Sequence, residues 1–297
     1  MKQELVRKCP ICASLKIRKI MKVRDYRYKL DYHSFLRECG GCGSIFLSPR
    51  PTKKNISEFY PIKYFDHGGK ADPRKVSLPY REFYSIVNQL FSRPGKVLDL
   101  GCGKGDLLIG LKNKDWQCFG TEIYQESVDY ARNNWGIKNV VAKDIESVEF
   151  GKESFDLIIM HHVLEHLYHP KAILVKTKRW LKKGGTLLLA VPNFNSLSVK
   201  WYKQKAFSVD IPRHLFQFTP KNLKKIVRDS GYRIRALSYF SLVHNMVIFR
   251  ETIALVRGKK TTSKISYIDF LGIAWAYLTA IGKKSDTLVL IAQKNNP

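Results

Sequence analysis

The sequence predicts an α/β protein built on a doubly wound parallel sheet, with a small cysteine-ligated module ahead of it and a helical insertion before its last strand. Three observations carry that prediction. Residues 96–191 alternate short apolar runs with segments of helical period, as repeated βα units do. Two Cys-x-x-Cys turns stand near the N-terminus. A stretch of about 45 residues, strongly apolar, separates the last two strand-like segments. With 297 residues, 44% of them hydrophobic and 12% aromatic, the chain can bury one large core and a small one.

Cys9-Pro10-Ile11-Cys12 and Cys39-Gly40-Gly41-Cys42 are separated by 26 residues. Each pair can offer two thiolates to one tetrahedral ion. Four cysteines close its coordination shell, so a structural zinc is expected on Cys9, Cys12, Cys39 and Cys42. A redox role is the rival, but redox motifs of this spacing sit on a βα unit that is absent here. The charged start, with no apolar run after it, predicts no secretory signal and a reducing, cytoplasmic setting. The Tyr- and Lys-rich residues between the turns read as ribbon strands that borrow stability from the ion. Residues 1–50 form this module. Ser48-Pro49-Arg50-Pro51 reads as extended, and residues 51–95 as linker and helices, with Tyr80–Phe91 at helical spacing.

In Lys96–Asp106 an apolar strand runs into Gly101, Gly103 and Gly105, and the apolar-periodic residues Leu107, Leu108 and Leu111 follow. Glycines there let the backbone approach a ligand, and the helix start favours a carboxylate or phosphate. A dinucleotide fold would want Gly-x-Gly-x-x-Gly, but Asp106 stands at the third glycine's place. A second strand, Gln117–Ile123, ends near Glu122, placed to accept from two ribose hydroxyls. The helix Glu126–Trp135 leads to a third strand, Val140–Ala142. Asp144 follows and could accept from an adenine amino group. A fourth strand, Phe155–Met160, precedes His161. A helix ending near Lys183–Gly185 precedes the fifth strand, Thr186–Val191. Ligands are expected beyond the carboxyl ends of these strands.

These residues resemble a class I S-adenosylmethionine-dependent methyltransferase. Val97–Gly105 is similar to the family's first motif. Residues 160–167, 181–193 and 213–232 resemble later ones, as found in the ubiquinone-biosynthesis O-methyltransferase group. The two knuckles followed by Ser48–Pro51 resemble bacterial members with an N-terminal zinc ribbon. The resemblance implies a Rossmann-like, seven-stranded sheet over residues 96–240 and 285–297, with a helical insertion at 241–284. It implies S-adenosylmethionine as cofactor, lined by Asp99, Gly101, Cys102, Gly103, Gly105, Glu122, Ile123, Asp144, Ile145 and His161. At His161 the family commonly has methionine.

Methyl transfer to a hydroxyl needs alignment, exclusion of water and removal of a proton. His162 and His166, four apart, are expected on one face of a helix start with Glu165 beside them. The string also fits the inverted zinc-protease pattern, which its place after a fourth strand speaks against. Related quinone methyltransferases have a Glu-x-x-Glu-His stretch linked to a divalent ion. His162 replaces the first Glu here, which disfavours magnesium. His214, in the loop before the last helix, is a further candidate base. For each histidine a capping or packing role is the alternative.

Net charge is +27, distributed as +12 over residues 1–95, +2 over 96–199 and +13 over 200–297. The basic flanks suit an anionic partner, or are simply a well-solvated surface. Leu242–Val256 and Ile265–Ile281 are strongly apolar but shorter than the roughly 20 residues that spanning requires, and Arg250 and Asp269 interrupt them. They are expected to lie against an anionic membrane surface, to lid a greasy substrate, or to pack as a cap or oligomer contact. The expected acceptor is a small molecule, saccharide or lipid-linked group. RNA is the weaker alternative, because the fourth strand lacks the Asn/Asp-Pro-Pro-aromatic signature of base amino-group methylation. A non-catalytic cofactor-binding scaffold is the third.

Overall fold

The computed structural model describes residues 2–60, 78–239, 241–258 and 267–295. The part of the expected linker helices at 61–77 lies outside them, as do Phe240 and residues 259–266 of the insertion. The chain opens with β1 (Gln3–Glu4), then β2 (Ile17–Arg24), β3 (His33–Cys39), β4 (Ile45–Leu47) and β5 (Arg50–Pro51). Helix α1 (Arg81–Leu90) precedes β6 (Lys96–Leu100), α2 (Asp106–Lys112), β7 (Gln117–Glu122), α3 (Gln125–Trp135) and β8 (Asn139–Ala142). The next elements are β9 (Phe155–His161), α4 (Pro170–Trp180), β10 (Leu181–Pro192), α5 (Leu197–Tyr202) and β11 (Phe216–Gln217). The chain closes with α6 (Pro220–Asp229), β12 (Tyr232–Ser238), α7 (Leu242–Arg257), α8 (Tyr267–Ile281) and β13 (Thr287–Lys294).

Seven strands form the main sheet in the order β12-β13-β10-β9-β6-β7-β8. The strands from β10 through β8 are parallel, and β13 is antiparallel to both β10 and β12. This is the expected doubly wound fold. Its central strands are continuous apolar runs because both faces are covered: Leu98, Leu157, Ile158 and Leu188 are fully buried. One face carries α1–α3 through Phe83, Tyr84, Leu108 and Val128. The other carries α4, α6 and the ribbon through Leu174, Leu223, Leu36 and Phe46. The chain leaves β6 toward β7 on one side and returns to β9 on the other. That reversal opens a crevice at the strand ends.

The ribbon does not stand apart from the sheet domain. Its strands order as β11-β4-β3-β2, and β11 comes from the loop before α6. Phe216 pairs with Phe46 and Gln217 with Ile45, and the Leu47 N–H donates to the Leu215 carbonyl at 2.9 Å. Beneath this seam Arg213, fully buried, binds Asp25 and Asp210 and donates to the Phe59 carbonyl at 2.9 Å.

Two local expectations are corrected. Residues 162–166 do not begin a helix: His162 has a φ of 55°, and Leu164–His166 form one 3-10 turn. Pro170 at the first position of α4 sets the helix start, since a residue before proline avoids the helical region; His169 has φ −130° and ψ 61°. The helix expected to end near Lys183–Gly185 stops at Trp180. The strand starts at Leu181, with a register shift before Thr186 and a φ of 71° at Gly184.

In the insertion α7 packs on α8. Arg250 and Asp269, the two charges that interrupt the apolar segments, approach within 3.4 Å of each other. Hydrogen bonds tie the pair to the rest of the chain. Leu242 N–H donates to Glu82 Oε1 (2.7 Å), Phe207 N–H to Thr252 Oγ1 (3.0 Å) and Trp275 Nε1 to Asp286 Oδ2 (3.2 Å). Phe270, Leu271, Tyr277, Leu278 and Ile281 of α8 are exposed. Among the described residues, no helix is long and apolar enough to cross a membrane.

Candidate active site

The turn after β6 folds back on β7, where the Gly101 and Cys102 N–H groups both donate to the Thr121 carbonyl (2.8 and 2.9 Å). Gly101 has φ 73°, and a Cβ on it would lie 2.6 Å from Val163 Cγ2. A Cβ on Gly103, at φ 53°, would meet nothing within 4 Å, so bare backbone faces open space there. Gly105 lines neither neighbouring cavity; its Cα packs toward Ala131 and Ile137 of the α3 region. Below the turn Asp99 is buried and its Oδ1 has no partner. Burial and the nearby Glu122 push its carboxyl well above the usual range. An orphaned buried carboxyl is costly, and a ligand amino group beside it would relieve the cost.

Glu122, at the end of β7, accepts from Gly103 N–H (3.0 Å), Ile123 N–H (2.7 Å) and Tyr124 N–H (3.3 Å). Asp144 accepts from Glu146 N–H at 2.8 Å, and its other oxygen lies 2.6 Å from Lys53 Nζ. Two cavities meet at Gly101. A larger one of about 460 Å³ takes in Glu122, Ile123, Asp144, Ile145, His162 and His166. A smaller one of about 150 Å³ takes in Tyr80, Asp99, Cys102, Gly103 and His161. The cofactor residues expected from sequence thus line this pair of cavities, Gly105 excepted.

Five histidines fall into two neighbouring groups joined by Glu165. His161, His162 and His244 lie together, and so do Glu165, His166 and His214. His162 Nδ1 approaches Glu165 Oε1 at 3.3 Å. Burial pushes the Glu165 carboxyl up, but the His162 contact and the surrounding imidazoles outweigh it and hold it below its ordinary value. His166 Nδ1 lies 3.0 Å from the Arg213 carbonyl and 3.1 Å from the Tyr60 hydroxyl. His214 is buried behind it with ring centroids 4.7 Å apart, and its Nδ1 donates to the Ser208 carbonyl at 2.9 Å. Burial lowers His214 to about 4, and burial with its two histidine neighbours holds His161 well below the usual range. Both are neutral at pH 7. Of the three candidate bases, His162 and His166 reach the larger cavity and His214 does not.

Lys53, Tyr60, Tyr80 and His244 were not singled out from sequence. No spacing rule connects them to the strand ends; Tyr60 and Tyr80 flank residues 61–77, and His244 arrives from the insertion.

At the ribbon, Cys9 Sγ lies 3.6 Å from Cys42 Sγ, and Cys12 Sγ 3.6 Å from Cys39 Sγ. All four sulfurs lie within 4.8 Å of one another. A tetrahedral ion with bonds of about 2.3 Å sets its sulfurs roughly 3.8 Å apart, so the cluster can hold one metal.

A family profile described as a methyltransferase domain matches residues 76–237. The chain belongs to this methyltransferase family. Among curated relatives, an uncharacterized 37.1 kDa protein of a Streptomyces fradiae transposon is 29% identical over 206 residues, 65% of this chain and 55% of that one. The chain therefore spans little more than half of that relative. A ubiquinone biosynthesis O-methyltransferase of Coxiella burnetii is 26% identical over 182 residues, 58% of this chain and 75% of that one. Among solved structures, an Archaeoglobus fulgidus S-adenosylmethionine-dependent methyltransferase aligns with TM-score 0.50 at 21% identity, covering 75% of this chain and 95% of that one. The cyclase SpnF aligns with TM-score 0.52 at 17% identity, covering 84% of this chain and 99% of that one. Together these show the methyltransferase family, through the profile match, and its fold, through the structural likenesses.

Proposed function

We propose that this chain methylates an oxygen of a small-molecule, saccharide or lipid-linked acceptor, using S-adenosylmethionine held in the paired cavities. One observation carries the reading: the orphaned Asp99 carboxyl under bare glycine backbone, opening toward a cavity whose far wall is imidazole. When bound, the cofactor supplies a methyl group already activated on sulfur. Asp99 would meet its amino group, Gly101–Gly103 would admit it closely, Glu122 would hold the ribose, and Asp144 and Ile145 the adenine. His166 would take the acceptor's proton. If its Nδ1 hydrogen goes to the Arg213 carbonyl, Nε2 keeps the lone pair. His214 is a positioning residue, packed against His166 rather than touching the acceptor.

The likeness to an O-methyltransferase supports oxygen as the target atom. The exposed apolar side of α8, beside Lys283 and Lys284, supports a greasy acceptor and contact with an anionic membrane surface. We also propose zinc as the structural ion of Cys9, Cys12, Cys39 and Cys42, since four thiolates leave no open position. The test incubates the full chain and methyl-labelled S-adenosylmethionine with cell extract lacking the gene product. Label in the organic-soluble or saccharide fraction is expected. Label confined to RNA would replace this reading with RNA methylation, and label in neither would leave a cofactor-binding scaffold.

A further inference from the structure

We propose that His161, His162 and His244 form a transition-metal site at the wall between the two cavities. One ring nitrogen of each lies within 4.8 Å of the other two. The ring centroids are 4.7 Å (His161–His162), 4.5 Å (His161–His244) and 5.5 Å (His162–His244) apart. Nε2 of His161 and Nε2 of His162 are buried without a hydrogen-bond partner. If His161 were only packing against Tyr80 and Phe83, and His162 only against the other two imidazoles, two buried polar nitrogens would go unsatisfied. One ion would satisfy both.

The outer nitrogens are arranged as metal-bound imidazoles require. His162 Nδ1 faces Glu165 Oε1 at 3.3 Å and His244 Nδ1 meets Ser241 Oγ at 2.9 Å, which leaves Nε2 of each for the ion. A tetrahedral ion with bonds of about 2.0 Å sets its nitrogens roughly 3.3 Å apart, so each ligand atom need move by less than about 1 Å. An all-imidazole set selects zinc or another late first-row ion over magnesium or calcium. His244 belongs to α7, so the ion would pin the insertion onto the sheet. Three ligands leave a fourth position for water or an acceptor oxygen. That use of the fourth position rests on O-methylation; occupancy of the site does not.

The full chain is loaded with Zn²⁺, dialysed against metal-free buffer and its metal counted by mass spectrometry. Two zinc ions per chain are expected, one on the cysteines and one here. His244→Ala and His161→Gln should each bring the count to one, while His166→Ala leaves it at two. Co²⁺-loaded variants that keep the thiolate charge-transfer bands and the far-ultraviolet dichroism of the parent show that the fold and ribbon survive. A parent chain that holds one ion, or a His244→Ala variant that still holds two, overturns the proposal. So does a count that falls only with His166→Ala, which would place the ion on Glu165, His166 and His214. Methyl transfer is assayed separately, so a failed count and a failed acceptor assignment are told apart.

Discussion

Arg213→Met tests the electrostatic hinge between ribbon and sheet. Arg213 is fully buried; its Nη2 and Nη1 lie 2.9 and 3.1 Å from the two oxygens of Asp25, and its Nε donates to Asp210 Oδ1 at 2.8 Å. Without the guanidinium, Asp210 keeps Arg27 at 2.8 Å. Asp25, with a fully buried side chain, keeps the Arg27 and Tyr28 N–H groups, each 3.0 Å away, which are neutral donors and do not replace the guanidinium charge. Removing one partner of a buried pair costs about 3–5 kcal/mol, mostly through the charge left behind. Total stability of a domain is only about 5–15 kcal/mol, so the loss is large. Urea denaturation should show it, and the melting temperature should fall by roughly 10 °C. Arg213→Met with Asp25→Asn should recover about 1–2 kcal/mol, because the second change removes the stranded charge. A loss under about 1 kcal/mol for Arg213→Met, or no recovery in the double variant, would refute the reasoning.

Gly101→Ala would put a methyl 2.6 Å from Val163 Cγ2 at φ 73°. Calorimetry with S-adenosylhomocysteine should show binding weakened at least about tenfold, and the melting temperature should drop. His166→Gln should lower kcat by roughly 10²-fold or more while leaving cofactor affinity within about twofold, measured by steady-state kinetics and calorimetry side by side. His214 titrates at about 4 in the folded protein against an ordinary 6.5, among His166, Asp210 and Glu165. The unfolded chain therefore takes up a proton that the folded chain refuses. Stability is full above pH 6.5 and declines by roughly 3 kcal/mol as pH falls toward 4; His214→Asn should flatten that slope in a series of urea titrations. Cys39→Ser should abolish zinc retention at the ribbon and lower the melting temperature, whereas Cys118→Ser, remote from the cluster, should leave the metal count unchanged.

The sheet was legible because its central strands β6, β9 and β10 contain local apolar runs and the ends of β6 and β7 carry glycines and an acid. Gly101, Gly103 and Glu122 announce themselves within about 20 residues of one another, the reach of a single βαβ turn. The histidine wall was half legible. His161, His162 and His166 are close enough in sequence to notice, yet the proline at 170 starts the helix after them, so that His161 ends β9 and His166 closes a 3-10 turn. His244 could not be placed, since its position follows from how α7 docks on α1 through Glu82, a contact 160 residues long in sequence. Lys53 beside Asp144 was hidden for the same reason. The pairing of Phe216–Gln217 with the ribbon was also invisible, because a two-residue strand carries too little alternation to read.

That short strand limits how the chain can be dissected. Phe216–Gln217 finishes a sheet whose other members all precede residue 48, so a fragment starting after the cysteines would leave its backbone donors and acceptors bare. It would also uncover Phe216 and Leu215, both buried in the whole protein. Such a fragment is expected to be sticky and poorly behaved even though it retains every glycine and acid of the crevice at the strand ends. Crystallographers and enzymologists alike should therefore keep the first fifty residues attached.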